Sequence, residues 1–414
     1  MKIIVMGSGV IGVTTAYYLA RDGHEVKVLD RRNGPAQETS FANAGLVAPG
    51  HAYAWASPAA PKILFKSLYR ADQSLKLKLR ADPRMWSWFR LFLRNCTAEK
   101  ARVNSVRKLR LCVYSREALH DVVTNTGVAF ERRDGGALYL YRNRAAFDAA
   151  VAHSAILRDN GIALETLDPA QAAARDPALE TAKRKLVGAL YSPIDESGDA
   201  RMFTCALAER CEERLGVKFV FDTKIQRLDA SGQNIERIVT DKGDFRADIY
   251  VLALGCDSPF LARPLGIRLP IYPVKGYSAT LPIGGRNAAP AMGGVDEENL
   301  VAYSRLGDRL RLTGTAEFSG YARGHRREDF DSMLSAARDL FPDAADYSRP
   351  SYWAGLRPMT PHGAPIIGKT PYRNLHLNTG HGHMGWTMSC GSARIAADII
   401  AGRKPDIDVE GMTL

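Results

Sequence analysis

A glycine pattern within the first twelve residues constrains the fold of this 414-residue chain more than any other feature. Gly7, Gly9 and Gly12 form a G-x-G-x-x-G sequence that follows the apolar run 2–6 and precedes the helix-compatible residues 10–21. The first glycine permits a tight turn, the second lets the backbone approach a pyrophosphate, and the third lets strand and helix pack closely. The pattern predicts a strand–turn–helix unit whose helix begins against an anion.

An acidic residue completes this pattern at the end of a second predicted strand. Residues 25–29 form that strand and lead directly into Asp30. In dinucleotide-binding βαβ units a carboxylate at that place holds a ribose hydroxyl. We therefore predict a nucleotide site at this turn, formed together with Val10 and Ile11. Two alternatives stay open: a 2′-phosphate held by Arg31 and the arginine after it, or a glycine-rich turn that binds no ligand.

A second glycine-rich segment lies toward the C-terminal end. Residues 378–385 contain three glycines and two histidines ahead of a helix predicted at 392–401. Glycines let the main chain lie against a flat ligand, and a helix N-terminus places partial positive charge beside it. The segment suits a flavin ring, whose reduction builds negative charge; the alternative is a structural loop. The candidate contacts are Gly380, His381, Gly382, Met384, Gly385, Trp386 and Thr387.

Four side chains outside these segments are candidates for substrate contact. Arg357 stands alone in an apolar, proline-bounded stretch, and its planar guanidinium suits a carboxylate. Tyr277, in a predicted strand, adds a phenol donor, and His51 and Tyr53 lie in the long loop 33–61. The alternatives are an ordinary ion pair for Arg357 and plain packing for the other three. No side-chain base, Ser-His-Asp order or nucleophile elbow is apparent.

Composition narrows the class of protein further. Apolar residues make up 46% of the chain, which is typical of a globular protein. The net charge of +11 is spread along the sequence without a zinc-finger, helix-turn-helix or RNP pattern, so we expect no nucleic-acid binding. The six cysteines form no C-x-x-C pair, which argues against a metal site and fits a reducing compartment. No run reaches the roughly 18 apolar residues that a membrane span needs.

The segment 62–95 mixes bulky aromatic residues with lysines and arginines. That mixture resembles an interfacial membrane anchor. The alternative, which we favour, is a set of amphipathic helices that pack on a substrate domain. A helical pattern is predicted over the longer stretch from residue 62 to residue 123.

Eight segments spread over nearly the whole chain resemble one known family. They are Gly7–Gly12 with Asp30, Glu38–Gly45, Leu93–Cys96, Asp195–Asp199, Tyr272–Ser278, Trp353–Pro361, Asn378–Gly382 and Gly385–Met388. The chain is similar to the bacterial FAD-dependent D-amino acid dehydrogenases, within the wider superfamily of D-amino acid oxidase, glycine oxidase and sarcosine oxidase. The last three segments taken together are specific to that family.

The resemblance implies an α/β protein with a discontinuous, Rossmann-like FAD-binding domain. It also implies a substrate domain of α+β type with a mostly antiparallel sheet. The βαβ elements themselves are split between the two ends and the middle of the chain, which likewise requires a discontinuous domain. We place the FAD-binding domain at 1–60, 185–262 and 345–414, and the substrate domain at 61–184 and 263–344.

The resemblance also assigns contacts residue by residue. The arginine of the family's G-[FL]-R-P motif, which binds the substrate carboxylate, falls on Arg357. Gly255 ends the strand that crosses beneath the adenosine half of the cofactor in such flavoproteins, although that strand also reads as plain core. The family segment beside the flavin falls on Thr39, Ser40, Asn43, Ala44 and Gly45, with Leu46 next to it.

Two departures from the family pattern bear on the substrate, and one on the cofactor. His362 stands where the family usually has an acid near the flavin end, and His51 also differs from related dehydrogenases. Both residues leave the substrate range open. No cysteine lies in 356–363, where sarcosine oxidases attach FAD covalently, so noncovalent FAD is expected.

We expect the protein to oxidise a D-amino acid to an imino acid, which hydrolyses to a 2-oxo acid and ammonia. Arg357 with Tyr277 holds the carboxylate, so that the Cα–H bond lies near flavin N5, and electrons pass to a quinone-type acceptor. Alternatives are a dehydrogenase of cyclic imino acids such as D-proline or hydroxy-D-proline, an oxidase that uses O₂, and a flavin-binding protein without such activity. The expected location is the cytoplasm, with peripheral contact to the inner membrane left open.

Overall fold

The structure is a computed structural model that describes residues 1–67, 75–285 and 288–414. Its helices are α1 Val10–Arg21, α2 Ala60–Ser67, α3 Pro83–Arg94, α4 Ala98–Thr126, α5 Arg144–His153, α6 Ala155–Arg158, α7 Pro169–Arg175, α8 Ala200–Leu215, α9 Ser258–Ala262, α10 Asp331–Leu340 and α11 Gly385–Ile400. Its strands are β1 Lys2–Met6, β2 Glu25–Leu29, β3 Leu46–Val47, β4 Leu75–Leu77, β5 Ala137–Tyr141, β6 Glu165–Leu167, β7 Gly188–Ser192, β8 Glu196–Ser197, β9 Lys218–Val220, β10 Ile225–Ser231, β11 Asn234–Thr240, β12 Gly243–Phe245, β13 Ile249–Leu252, β14 Tyr272–Pro282, β15 Gly293–Asp296, β16 Val301–Leu306, β17 Arg309–Phe318, β18 Ser351–Met359, β19 Ile366–Lys369 and β20 Leu375–Thr379.

The N-terminal strand–helix–strand unit is built as predicted. β1 lies parallel to β2, with Ile3 opposite Val26 and Val5 opposite Val28. These four side chains are buried, which is typical of a parallel strand covered on both faces. α1 carries the chain back over the sheet between the two strands. The predicted unit is therefore confirmed.

β1 and β2 are the centre of a six-stranded sheet with the order β19–β20–β13–β1–β2–β9. All neighbours are parallel except β19, which runs antiparallel to β20. Side chains from α1, α4, α8 and α11 form one hydrophobic core with this sheet. The sheet takes its strands from both ends and the middle of the chain, so the unit is discontinuous, as the sequence requires.

A nine-stranded sheet forms the second half of the molecule. Its order is β18–β14–β17–β16–β15–β5–β7–β6, with β4 beside β17. Among the described strands only the pairs β15–β5 and β17–β4 are parallel, so the expected mostly antiparallel sheet is confirmed. α10 packs against this sheet through Phe330, Met333 and the residues around them.

Strand pairing crosses the predicted domain boundaries at a few elements. β7 and β18 belong to the nine-stranded sheet, although they fall in 185–262 and 345–414. Likewise α4 packs into the core of the six-stranded sheet, although it falls in 61–184. The division into domains stays a prediction. These three elements join the sheet or core of the other predicted domain, because long-range pairing and not proximity in the sequence decides which core an element joins.

The predicted helical stretch 62–123 is interrupted. α2 ends at Ser67, residues 68–74 lie outside the described residues, and β4 is a strand. Asp82 then caps α3 through the backbone N–H of Arg84, and Thr97 caps α4 in the same way. None of the helices in the described ranges combines the length and apolar character that crossing a membrane requires.

Two other predicted helices differ in their bounds. The helix predicted at 392–401 begins earlier, at Gly385, so the glycine-rich segment runs directly into its first turn. The helix predicted at 145–160 is divided at Ser154 into α5 and α6. Glycine has a low intrinsic propensity for helices, so Gly385 did not indicate a helix start. The sequence pattern therefore placed the first of these boundaries too late.

Candidate active site

One cavity of about 810 Å³ lies where the six-stranded and nine-stranded sheets meet. We refer to it as the central cavity. The predicted site residues that line it are Gly7, Gly9, Val10, Ile11, Asp30, Arg31, Thr39, Ser40, Asn43, Ala44, Gly45, Leu46, His51, Gly255, Tyr277, Arg357, His381, Gly382, Met384, Gly385, Trp386 and Thr387. Gly12, Gly380 and Tyr53 are not part of the lining. The fold thus gathers most of the predicted contacts around a single space.

The first glycine turn needs its glycines for steric reasons. Gly7 has φ +106°, and a Cβ there would lie 2.8 Å from the carbonyl oxygen of Ala253. A Cβ on Gly12 would lie 1.8 Å from the carbonyl oxygen of Gly7. Gly12 therefore serves the close packing of helix on turn, which is why it stays behind the cavity wall.

Two helix N-termini border the central cavity without side-chain caps. α1 has Gly9 and α11 has Met384 at the N-cap position, and neither helix has an acidic residue in its first turn. Backbone N–H groups at such ends are left without intrahelical partners and carry partial positive charge. Of the first three backbone N–H groups of α1, that of Val10 alone has a partner among the described residues, Ser40 Oγ at 3.0 Å. The cavity therefore offers two places that favour negative charge.

Asp30 is fixed at the end of β2 beside the glycine turn. Its Oδ2 accepts hydrogen bonds from the backbone N–H and the hydroxyl of Ser8, both at 2.7 Å. Its Oδ1 accepts from the backbone N–H of Arg32 at 2.9 Å. The carboxylate is thus held in place on the cavity wall, where a ribose hydroxyl is expected.

Arg31 is already engaged by acidic side chains. Its guanidinium pairs with Glu38 at 2.8 Å and with Asp257 at 2.7 Å, and Arg32 also pairs with Glu38 at 2.8 Å. Burial alone raises the pKa of Glu38, but the guanidinium groups of Arg323 and Arg31 outweigh it and hold that pKa below its ordinary value. With their charge neutralised in this way, the arginines do not favour the alternative of a 2′-phosphate site.

The loop from Glu38 to Leu46 ties the two sheets together at the cavity. Thr39 donates from Oγ1 to the carbonyl oxygen of Leu356 in β18 at 2.7 Å. Ser304 in β16 donates to the carbonyl oxygen of Ala44 at 2.7 Å, and Arg311 in β17 donates to that of Asn43 at 3.0 Å. Ser304 and Arg311 carry no local motif, so sequence analysis does not identify them as supports of the site.

Arg357 lies in β18 with its guanidinium at the cavity. Nη1 donates to the carbonyl oxygen of Thr315 at 2.9 Å, and no carboxylate among the described residues pairs with it. Burial lowers the pKa of Arg357 to about 10, which still leaves it charged near neutral pH. A Cβ on Gly276 would lie 2.4 Å from Arg357 Cζ. The bare backbone of Gly276 therefore makes the room that the guanidinium occupies.

Tyr277 is not brought beside Arg357. β14 and β18 pair with Val274 opposite Arg357 and Gly276 opposite Gly355, so Gly276 and Arg357 share one face of the sheet. The side chain of Tyr277 belongs to the other face, and its hydroxyl donates to Glu317 Oε2 at 2.9 Å. Its ring packs edge-on against Phe330 at 5.4 Å. The predicted shared carboxylate grip of Arg357 and Tyr277 is therefore absent from this geometry.

His51 and Tyr53 separate in the fold. His51 ends the 3-10 turn Pro49–His51, lines the cavity, and has its Nε2 2.9 Å from Glu297 Oε1. Tyr53 packs its ring against His153 at 4.6 Å, and its carbonyl oxygen accepts from Lys108 Nζ at 2.5 Å. Glu297 is a site residue that sequence analysis missed, because it is 246 positions away from His51.

His362 is half-buried and is not part of the cavity lining. Its Nδ1 accepts from the backbone N–H of Ala364 at 3.2 Å. Burial and the nearby charge of Arg107 lower its pKa to about 4, so the ring is neutral. His383, which sequence analysis did not select, does line the cavity and stacks on Trp55 at 4.6 Å.

These features fit an FAD molecule. The uncapped start of α1 with its glycine turn suits a pyrophosphate, Asp30 suits a ribose, and the uncapped start of α11 suits the flavin ring. Comparison with protein-family models agrees: residues 2–399 match the family DAO, FAD dependent oxidoreductase. The chain belongs to this family of FAD-dependent oxidoreductases.

Individual relatives extend over the whole chain. It is similar to D-amino acid dehydrogenase 2 of Mesorhizobium japonicum, with 47% identity over 412 residues that cover 100% of this chain and 99% of the relative. It is also 47% identical to the D-amino acid dehydrogenase of Granulibacter bethesdensis over 408 residues, covering 99% and 97%. Among solved structures it resembles glycine oxidase from Geobacillus kaustophilus, with a TM-score of 0.78, 21% identity, and coverage of 100% and 97%. That last likeness concerns the fold.

Proposed function

We propose that this FAD-dependent oxidoreductase is a dehydrogenase of D-amino acids that yields 2-oxo acids and ammonia. The observation that carries the proposal is the guanidinium of Arg357, which lines the interior cavity, has no carboxylate partner among the described residues and shares that cavity with both uncapped helix N-termini. A buried cation without a protein anion is suited to an anionic ligand. Full-length relatives at 47% identity carry the name D-amino acid dehydrogenase, which supports the same substrate class.

Each part of the cavity then has a defined task. Arg357 binds the substrate carboxylate through its planar fork and so orients the Cα–H bond. The start of α11 stabilises negative charge in the neighbouring part of the cavity. FAD, when bound, supplies the capacity to accept two electrons from the substrate. We propose that it is bound noncovalently, and release of the flavin by acid precipitation of the protein tests this.

The substrate class is tested by the flavin spectrum of the purified protein under anaerobic conditions. We expect D-alanine and other D-amino acids to bleach the oxidised flavin and their L isomers to leave it unchanged. A cyclic imino-acid dehydrogenase, the second candidate, is reduced by D-proline or hydroxy-D-proline in preference to primary amines. Peroxide formation in air identifies an oxidase instead, and a flavin that no amine bleaches contradicts the proposed function.

The role of Arg357 is tested by Arg357→Ala and Arg357→Lys. Loss of the fork removes the carboxylate contact, so KM rises by roughly 100-fold, which corresponds to about 2.7 kcal/mol, while the flavin content is unchanged. Arg305→Ala, in β16 of the same sheet but outside the cavity lining, is the matched control and keeps its KM. A normal KM in Arg357→Ala excludes this arginine as the carboxylate site.

We further propose that electrons pass to a quinone at the cytoplasmic surface of the inner membrane. α2 and α3 expose Phe65, with 62% of its surface accessible, and Trp86, with 50%. Lys62, Lys66 and Arg90 lie on the same two helices. Ile63 of α2 is both exposed and part of the cavity lining, so this apolar, basic surface adjoins the site. Such a surface suits an interface with anionic lipid.

Liposome flotation tests the membrane contact. We expect binding to vesicles rich in anionic phosphatidylglycerol, weaker binding at high salt, and little binding to neutral phosphatidylcholine vesicles. Phe65→Ser with Trp86→Ser removes apolar anchors and reduces binding at least several-fold, whereas the control Met202→Ser, at an exposed position of α8, does not. Equal absence of binding at low and high salt contradicts the proposal.

A further inference from the structure

His51 is held at the central cavity by contacts from three sides. Asp195 Oδ1 accepts from the backbone N–H of Gly50 at 2.8 Å and fixes the 3-10 turn that ends at His51. The ring of Tyr139 stacks on the imidazole at 4.8 Å, and the Tyr139 hydroxyl donates to Asp195 Oδ2 at 2.5 Å. Glu297 Oε1 lies 2.9 Å from His51 Nε2. Together these contacts hold the His51 imidazole in one orientation at the cavity.

The turn before His51 is built for this arrangement. A Cβ on Gly50 would lie 2.3 Å from Ser192 Oγ and 2.7 Å from Asp195 Oδ2. Only a glycine therefore lets the turn approach the Asp195 carboxylate closely. The His51 side chain lies deep in the protein, yet it stays accessible from the cavity that it lines.

The contact with Glu297 determines which ring nitrogen is free. A neutral imidazole that donates its Nε2–H to the carboxylate leaves Nδ1 as an acceptor. No protein group in the described ranges forms a hydrogen bond with Nδ1. The carboxylate–imidazole pair thus has the arrangement in which an acid orients a histidine and stabilises its protonated form.

Charged groups approach this pair from several elements. Glu297 follows β15, Lys108 is on α4, Asp195 precedes β8, and Tyr139 is on β5, while Tyr53 and His383 contribute from the neighbouring loop and the start of α11. Burial and Lys108 lower the pKa of His51, but Glu297 and Asp195 outweigh them and raise it above its ordinary value. Burial and the positive charges of Lys108, Arg357 and His51 together lower the pKa of His383 well below its ordinary value. These groups therefore surround one part of the cavity.

We propose that His51, oriented by Glu297, accepts the proton that the substrate ammonium group must lose before its Cα–H bond breaks. The proposal rests on the proposed function, because it concerns an amino acid whose carboxylate is held by Arg357. In the step, an N–H bond of the ammonium breaks and an N–H bond forms at His51 Nδ1, while the electron pair stays on the amine nitrogen. The Cα–H hydrogen then leaves with two electrons to FAD, the oxidant, as the nitrogen lone pair forms the C=N bond.

The pH dependence of kcat/KM separates this role from a structural one. The wild-type profile falls on the acid side with a midpoint set by His51. Glu297→Gln removes the charge that favours the imidazolium, so the midpoint moves to lower pH by about one unit. His51→Asn lowers kcat/KM by roughly 100-fold at pH 7 and abolishes the midpoint. Glu298→Gln, at the adjacent exposed glutamate, is the control and keeps the wild-type profile.

Binding of an unreactive ligand provides a second measurement, independent of turnover. 2-Aminoisobutyrate carries both charged groups of a substrate but no Cα–H bond, and isobutyrate lacks the amine. We expect the affinity of the holoenzyme for 2-aminoisobutyrate to weaken at least tenfold as the pH falls through the His51 pKa, because a protonated ring repels the ammonium group. Isobutyrate shows no such weakening, and in His51→Asn the two ligands respond alike.

The outcomes distinguish this proposal from the one on which it rests. If wild-type flavin is bleached by D-amino acids but both variants keep the wild-type midpoint, the proton-accepting pair is excluded and the proposed function stands. If no amine bleaches the flavin, the proposed function fails. In that case an unchanged pH dependence of 2-aminoisobutyrate binding in His51→Asn excludes the pair as well.

Discussion

Arg357 occupies its place because Gly276 has no side chain. The two residues lie on one face of neighbouring strands, and a single methyl group on Gly276 would come within 2.4 Å of the guanidinium carbon. The atoms that would have to move are the far end of a flexible side chain, not backbone. A substitution here therefore displaces the ligand-binding group while leaving the sheet nearly intact.

We predict that Gly276→Ala raises KM for a D-amino acid at least tenfold, because the guanidinium is pushed away from its position at the cavity. The melting temperature changes little for the same reason. Steady-state kinetics and thermal denaturation of the same preparation check both parts. Gly135→Ala is the control, since a Cβ there meets only Met292 Cγ at 3.9 Å. An unchanged KM together with a large loss of stability contradicts this account.

The position of helix α11 depends on an equally close contact, but with backbone. A Cβ on Gly391 would lie 2.7 Å from Ser115 Cβ and 2.8 Å from Ser115 Cα in α4. The backbone N–H of Gly391 also donates to Ser115 Oγ at 2.9 Å. Because this contact involves the backbone of α4, a side chain at residue 391 would fit only if one of the two helices moved as a whole. Since the first turn of α11 borders the central cavity, its packing against α4 also determines where that helix end lies.

We predict that Gly391→Ala destabilises the protein by about 1–3 kcal/mol, the usual result of overpacking a tight contact. The melting temperature falls by several degrees, and FAD is retained less tightly because the start of α11 shifts. Thermal denaturation and the ratio of flavin to protein absorbance measure these effects. A Cβ on Gly324 meets no atom of the described ranges within 4 Å, so Gly324→Ala serves as the control. If Gly391→Ala keeps the stability of the wild type, the close contact between α4 and α11 does not limit the size of this residue, and the prediction is wrong.

Acid sensitivity belongs to the whole molecule, because buried histidines are distributed over it. Burial lowers the pKa of His362 and His376 to about 4 and that of His381 to about 3. These rings are uncharged in the folded protein, whereas the unfolded chain protonates them below about pH 6.5. Their stability contribution is thus present above pH 6.5 and lost as the pH falls toward 4. Two groups act in the opposite direction, because burial raises the pKa of Asp195 to about 6 and Glu297, against the effect of burial, raises that of His51, but burial also lowers the pKa of His383 and so adds a fourth histidine to the loss.

We predict that the melting temperature of the holoenzyme falls steadily between pH 7 and pH 4.5. Each buried histidine contributes on the order of 1–2 kcal/mol to this loss. His376→Asn removes one such group and lessens the fall, whereas His325→Asn, at an exposed position, leaves it unchanged. Differential scanning calorimetry over this pH range makes the comparison. Identical curves for His376→Asn and the wild type exclude this residue as a source of acid sensitivity.

Features that depend on residues close together in the sequence were predictable. The unit β1–α1–β2 follows from one apolar run, three glycines and an acid, because backbone sterics and a helix end act over a few residues. The same holds for the glycine-rich approach to α11 and for Arg357 as a candidate anion site. The match of residues 2–399 to one family model agrees with these local patterns.

Features that depend on pairing across the chain were not predictable. The register of β14 on β18 placed Gly276 with Arg357 and turned Tyr277 away, and a shift of one residue would have reversed this. The contact of His51 with Glu297 joins two loops from distant parts of the sequence. Sequence by itself determined which residues can bind a nucleotide or a carboxylate, because that is a property of short segments and single side chains. Tertiary structure decided which of them face one cavity, because sheet register and burial are set by contacts distant in sequence.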